Sequence, residues 1–123
     1  MEKIVLYNVD HAKDIIKAAA NMRIKSIVVE DDMLSSALKE VLVKCRDYRP
    51  EDNISDKRLD KAGLVIFCDV TDKHMDKLLF EMRNGSYKVD YKAVMTKTNS
   101  QWTIARILAQ MERESLEYRQ LNK

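Results

Sequence analysis

Tyr91-Lys92-Ala93-Val94-Met95-Thr96-Lys97-Thr98-Asn99-Ser100-Gln101-Trp102-Thr103 passes from an apolar segment through a polar one into the longest helical pattern of the chain. Tyr91 to Met95 contains no glycine or proline and sets one lysine among apolar residues, which predicts a short strand. Thr96 to Ser100 then offers four hydroxyl or amide side chains and one ammonium group. Thr98 followed by Gln101 fits a capping box, in which the hydroxyl takes a first-turn amide proton and the glutamine reaches back. This junction predicts a strand that ends on a helix start.

The same strand–helix phrase occurs three times earlier. Lys3 to Tyr7 reads as a strand, and Asn8 or Asp10 as the cap of a helix from about Asp10 to Met22. That helix sets Ala12, Ile15, Ile16, Ala19 and Met22 on one stripe. Lys25 to Glu30 gives a second strand, and Asp31 or Asp32 opens a helix with Leu34, Ala37, Leu38, Val41 and Leu42 inward. Leu64 to Phe67 is the third strand, followed by a helix capped by Thr71 and closed at Asn84-Gly85. The runs Ser26 to Val29 and Leu64 to Phe67 are continuously apolar or β-branched, as in parallel strands covered on both faces.

Four alternations predict an α/β fold: a small three-layer sandwich, with a four-stranded, mainly parallel sheet and about four helices. Right-handed crossovers favour the order 2-1-3-4. In an open parallel sheet ligands lie beyond the carboxyl ends of the strands. That rim would gather Asn8, Asp69, Lys92, Thr96, Lys97, Thr98, Asn99 and Trp102 as a binding site for a small anionic or nucleotide-like group. Two readings compete at the turn. Thr98, Asn99 and Ser100 either cap the helix and nothing more, or leave amides that hold an anion beside Lys97.

A resemblance bears on this stretch. Lys92-Ala93-Val94-Met95-Thr96, Thr98-Asn99 and Trp102-Thr103 resemble the signature KAV-x-T-x-TN-x-x-WT of a bacterial domain-of-unknown-function family, number three-seven-eight-three. The likeness extends back through Leu64 to Cys68 and the helix after it, about half the chain. Ile4-Val5-Leu6-Tyr7-Asn8 also has the look of those proteins. Lys97 stands where the family carries proline. The resemblance implies a fold context and a motif, and brings no activity.

Composition narrows the classes. With 123 residues, 46% hydrophobic and 34% charged, the chain suits one globular domain with a real core. A net charge of +2, with lysines and arginines spread among acids, supplies no bulk attraction for nucleic acid. Tyr87, Lys88, Tyr91, Lys92, Lys97 and Trp102 could form a base-stacking platform, but Tyr87 and Tyr91 fall on the face of Val89, Ala93 and Met95, which is core. Cys45 and Cys68, with only His11 and His74 beside them, lack zinc-ligand spacing; no metal or cofactor is expected. Free thiols fit a cytoplasmic protein. No apolar run reaches the ~18–20 residues of a membrane span.

Three further patterns have a functional and a plain structural reading. Ser26-Ile27-Val28-Val29-Glu30-Asp31-Asp32 looks like a phosphoacceptor receiver's acidic pocket, with Asp69 and Thr96 completing it. A receiver, however, places the acidic run after its first strand and needs a further strand ending in lysine. The plain reading is that Asp31 and Asp32 favour the positive end of a helix. Lys92 is either a cation aimed at a ligand or the guard of an edge strand. The stretch from Cys45 to Asp60, which holds Pro50 and a short helical pattern near Ile54 to Leu59, is either a solvated spacer or a functional loop. No acid–base pair or nucleophile set assembles from spacing, so catalysis is not expected. The last helix outruns the sheet beyond residue 112 with Leu116, Tyr118 and Leu121. That end predicts a homodimer or a protein partner; the alternative to ligand binding is thus a non-catalytic interaction or regulatory module.

Overall fold

A computed structural model of the chain describes residues 1–52 and 61–121, with side chains described as far as residue 117. The helical pattern expected near Ile54 to Leu59, and the side chains of Tyr118 and Leu121, lie outside the described residues. The strands are β1 (Lys3–Tyr7), β2 (Lys25–Val29), β3 (Leu64–Cys68) and β4 (Tyr91–Val94). The helices are α1 (Ala12–Asn21), α2 (Leu38–Lys44), α3 (Asp72–Asn84) and α4 (Ile104–Leu121). Short 3-10 turns at Asp31–Met33 and Asn99–Gln101 precede α2 and α4.

The sheet has the order β2-β1-β3-β4, the order expected from the sequence. Two of its three pairings, β1 with β2 and β3 with β4, are parallel, while β1 and β3 run antiparallel. The expectation of one shared rim is therefore corrected: the carboxyl ends of β1 and β2 lie at one end of the sheet and those of β3 and β4 at the other. The apolar runs of the strands report burial on both faces, and burial is indifferent to direction.

Alternation along the strands feeds two cores. Ile4, Leu6, Val65 and Phe67 pack with α1 and α3 on one face. Val5, Tyr7, Leu64, Ile66 and Cys68 pack on the other with Leu38 and Val41 of α2 and Ile104 and Ile107 of α4. These two layers of helices bury β1 and β3 on both sides.

The molecule is also built twice. β1-α1-β2-turn-α2 and β3-α3-β4-turn-α4 are equivalent halves related by an approximate two-fold axis. Val5 faces Ile66 at the middle of the antiparallel pair, so exchanging the halves maps that contact onto itself. Over the same face Ala37 bridges Thr103; Leu38 N donates to Trp102 O at 2.9 Å, and Ile104 N to Ser36 O at 3.1 Å. Each bond is the other's image. The strands β1 and β3 are both followed by a residue with positive φ, Asn8 at 51° and Asp69 at 58°. The helices α1 and α3 end alike, with Arg23 at φ 62° and Ser86 at φ 57°. Ile24 N then donates to Ala19 O at 2.9 Å, and Tyr87 N to Met82 O at 2.8 Å. The sequence shows no internal repeat; the repeat is one of backbone and burial.

Several helix starts differ from expectation. His11, in the left-handed region, precedes α1 and makes no side-chain cap, whereas Asn8 and Asp10 were the expected caps. Helix α2 begins at Leu38 rather than at the acidic pair, which occupies a 3-10 turn. Thr71 caps α3 as expected, its hydroxyl accepting from His74 N at 3.2 Å.

Candidate functional site

At the exit of β4 the chain must turn from the sheet edge back over α2, and the side chains there close the turn themselves. Thr96 N donates to Asn99 Oδ1 at 2.7 Å while Asn99 N donates to Thr96 Oγ1 at 3.1 Å. This is the reciprocal geometry of a capping box, two residues earlier than the expected Thr98–Gln101 pair. Asn99 Nδ2 also donates to Val94 O at 3.0 Å, and Ser100 Oγ to Lys97 O at 2.9 Å. Thr98 makes no side-chain cap.

The long helix starts only at Ile104, behind Thr103, whose hydroxyl accepts from Arg106 N at 3.1 Å. Ile104 N and Ala105 N are bound to Ser36 O and Leu34 O at 3.1 and 2.9 Å. The first-turn amides that an anion would need are thus already paired, two of them with the other half of the molecule.

Beside this turn lies a cavity of about 330 Å³ between β4 and α4, lined by Lys92, Thr96, Thr98, Asn99 and Trp102 with Met111. Five of the eight expected site residues meet there. Trp102 is half-buried and the Arg106 guanidinium stands 4.1 Å from its ring centroid, close enough for a cation–π contact. Lys97 is exposed on the turn, and Asp69 shares this end of the sheet; neither lines the cavity. Asn8 is at the opposite end, its amide donating to Lys61 O at 2.8 Å.

Lys92 sits on an edge strand and is exposed, so its charge needs no buried partner. Tyr87 and Tyr91 do not form one platform: Tyr87 packs with the α1/α3 core, 5.3 Å from the His11 ring, and Tyr91 packs with the α2/α4 core. The receiver-like set is likewise divided, because Asp31 and Asp32 follow β2 at one end while Asp69 and Thr96 follow β3 and β4 at the other.

Two polar clusters had no signal in the spacing. At the Asn8 end, Tyr7 OH donates to Asp31 Oδ1 at 2.5 Å and Lys61 Nζ to Asp31 Oδ2 at 3.1 Å. Burial first, then this bond, pushes the Tyr7 hydroxyl up to about 12, and the bonds from Tyr7 and Lys61 hold Asp31 below the usual carboxylate range. At the other end Glu2 takes the Thr71 amide at 3.0 Å and sits 2.8 Å from His74 Nδ1. The Thr71 amide, then His74, lowers the Glu2 carboxyl. Each cluster joins residues far apart in sequence, which local spacing does not reveal.

Cys68 is buried, and burial, then the Asp69 charge, pushes its thiol up to about 12; it is no nucleophile at neutral pH. Among the described residues no three His, Cys, Asp or Glu side chains gather as a metal ion would require, and no helix is long and apolar enough to cross a membrane.

No curated protein and no solved structure matches the chain. Residues 63–118 match the family described as "Domain of unknown function (DUF3783)". That span runs from just before β3 into α4, one of the two equivalent halves and the one that forms the cavity. In this half the chain is similar to that family.

Proposed function

We propose that the chain works as a non-catalytic protein-interaction module that meets its partner along β4 and the adjoining face of α4. One observation carries this reading. The side chains of Thr96 and Asn99 and the amides at the α4 start are spent on internal bonds, while β4 beside them presents an exposed lysine and Val94, which is 52% exposed. The partner-facing surface continues along α4, where Leu116 is 57% exposed.

A small anionic ligand at Thr96, Lys97, Thr98 and Asn99 is the weaker reading. At Thr96 and Asn99 it would have to replace paired hydrogen bonds, each worth about 0.5–1.5 kcal/mol net, with Lys97 as its one cation on the turn. Thr96 and Asn99 instead shape the turn; Lys92, Val94 and Trp102 supply the contact surface.

A thermal-shift panel of nucleotides and phosphorylated metabolites, run beside affinity capture on the full chain, tests the choice. No metabolite should raise the melting temperature, and captured protein should be lost on Val94→Asp with the fold intact. A saturable metabolite shift that Thr96→Ala and Asn99→Ala abolish would restore the ligand reading and overturn this one.

A further inference from the structure

The two outer strands occupy equivalent places in the two halves, yet their edges are finished differently. Along β2 the chain leaving α2 turns back on the sheet: Tyr48 N donates to Ser26 O at 2.7 Å and Asp47 pairs with Lys3 at 3.2 Å. The Tyr48 ring packs against the α1/α3 core. In β4 the carbonyl equivalent to that of Ser26 belongs to Lys92. The amides of Tyr91 and Met95 turn inward to Gly63 O and Phe67 O, so strand alternation turns those of Lys92 and Val94 outward. Helix α4 runs on to Leu121, and among the described residues no segment returns along the β4 edge. An edge of this kind is a template for a further strand.

Charge selects what completes it. Lys92 on this edge, Lys88 before the strand and Lys97 on the turn after it are exposed and make no ion pair among the described residues. A second copy pairing through β4 would bring these lysines toward their own images, which like-charge repulsion disfavours. An acidic chain would relieve them, as Asp47 does for Lys3 at the covered edge.

Resting on the interaction reading above, we propose that β4 is completed by an extended segment of a partner protein that carries acidic residues around an aromatic one. The segment adds as a strand on the open side of Lys92 and Val94, its acids against the lysines and its aromatic ring over the exposed Val94. Asn99 Nδ2 already occupies Val94 O, so the added ladder stops there. Main-chain bonds supply attraction, and the side-chain pattern supplies selectivity.

The probe is a synthetic peptide alternating valine with aspartate about a central tyrosine, titrated into the full chain. Trp102 fluorescence and the backbone amide resonances are followed. Saturable binding is expected, with the largest amide shifts at Lys92 and Val94 and with weakening as salt rises. Lys92→Glu should weaken it roughly tenfold at an unchanged melting temperature. N-methylation of the peptide amides that face β4 should abolish it.

Equal binding of a control peptide with lysine for each aspartate overturns the proposal. So does the absence of saturable binding, or amide shifts confined to residues outside β4. A concentration-dependent dimer that Val94→Asp dissolves also overturns it, and gives the edge to a second copy. None of these failures touches the interaction reading, which stands or falls on partner capture and the metabolite panel.

Discussion

The half of the chain before β3 and the half after it share one plan and almost no residues. Where backbone geometry is demanding they agree in conformation: a positive-φ residue after the inner strand, another after the first helix, and a buried aliphatic residue opening the second helix. Elsewhere they diverge, and the divergence follows the sheet edges. The first half ends its second helix at Lys44 and uses Arg46 to Asp52 to cover β2, held by Arg46–Asp52 bonds of 3.0 and 2.6 Å. The second half extends α4 instead, and among the described residues nothing covers β4. The half that matches the family model is therefore the half whose outer strand no other segment covers among the described residues.

The strongest way to break this comparison is at the helix starts that meet across the axis. Leu38 and Ile104 are both fully buried in the same core and each donates its amide to the other half. Leu38→Ala and Ile104→Ala should each cost about 2–5 kcal/mol in denaturant unfolding, and by similar amounts. A cost at one position only would mean that one half supports the other.

Glycines separate the halves at the next level. A β-carbon on Gly63 would stand 2.3 Å from Asn8 O, a backbone atom of the neighbouring strand's exit. Gly63→Ala must therefore push β1 and β3 apart, at about 1–3 kcal/mol. At Gly85 the obstruction is the Tyr87 ring, a side chain rather than backbone, so Gly85→Ala should cost less than Gly63→Ala although the ring must leave part of its packing. Equal costs at the two sites would show that the strand exit is more yielding than its close approach implies.

These contrasts also show what the sequence could and could not disclose. Periodicity found all four strands and the inward face of α1, because Ala12, Ile15, Ile16 and Ala19 repeat at helical spacing and are buried. The order 2-1-3-4 placed β4 at an edge, and Lys92 is exposed there. Strand direction was not legible: Ile4-Val5-Leu6-Tyr7 and Leu64-Val65-Ile66-Phe67 look the same whichever way they run. The cavity around Lys92, Thr96, Thr98, Asn99 and Trp102 was legible because those residues are close in sequence. Asn8 was misplaced with the sheet direction, and Tyr7–Asp31 and Glu2–His74 were missed because only the fold brings them together.

Tyr7 and Cys68 end the two inner strands at equivalent positions, and both hold their protons hard. Burial leads in each case, aided by the bond to Asp31 at Tyr7 and by the charge of Asp69 at Cys68; the hydroxyl moves from 10.0 and the thiol from 9.0, each to about 12. The unfolded chain releases these protons at the lower values. Their contribution to stability is therefore complete below pH 9 and is lost as pH rises from 9 to 12. Alkaline unfolding followed by circular dichroism should show its steepest loss in that window, and Cys68→Ala should remove the earlier part of it. Tyr7→Phe should remove the later part and, at neutral pH, cost about 0.5–1.5 kcal/mol through the lost bond to Asp31. A pH-independent stability across the window would show that neither proton is held by the fold.

The smallest effect is the sharpest test of equivalence. Arg23 and Ser86 each follow a helix in the left-handed region, where a β-carbon is strained and glycine is the usual occupant. Arg23→Gly and Ser86→Gly should each relieve that strain, partly offset by the greater freedom of an unfolded glycine, for a net gain of up to about 1 kcal/mol. Asn8→Gly and Asp69→Gly are the matched controls, because asparagine and aspartate tolerate the same conformation and should gain less. Melting curves of the four variants would show the glycine gain at both helix ends and at neither strand exit if the two halves obey one backbone plan. A gain at Arg23 without one at Ser86 would mean that the α3 end owes its conformation to Tyr87 packing against the α1/α3 core rather than to the repeat.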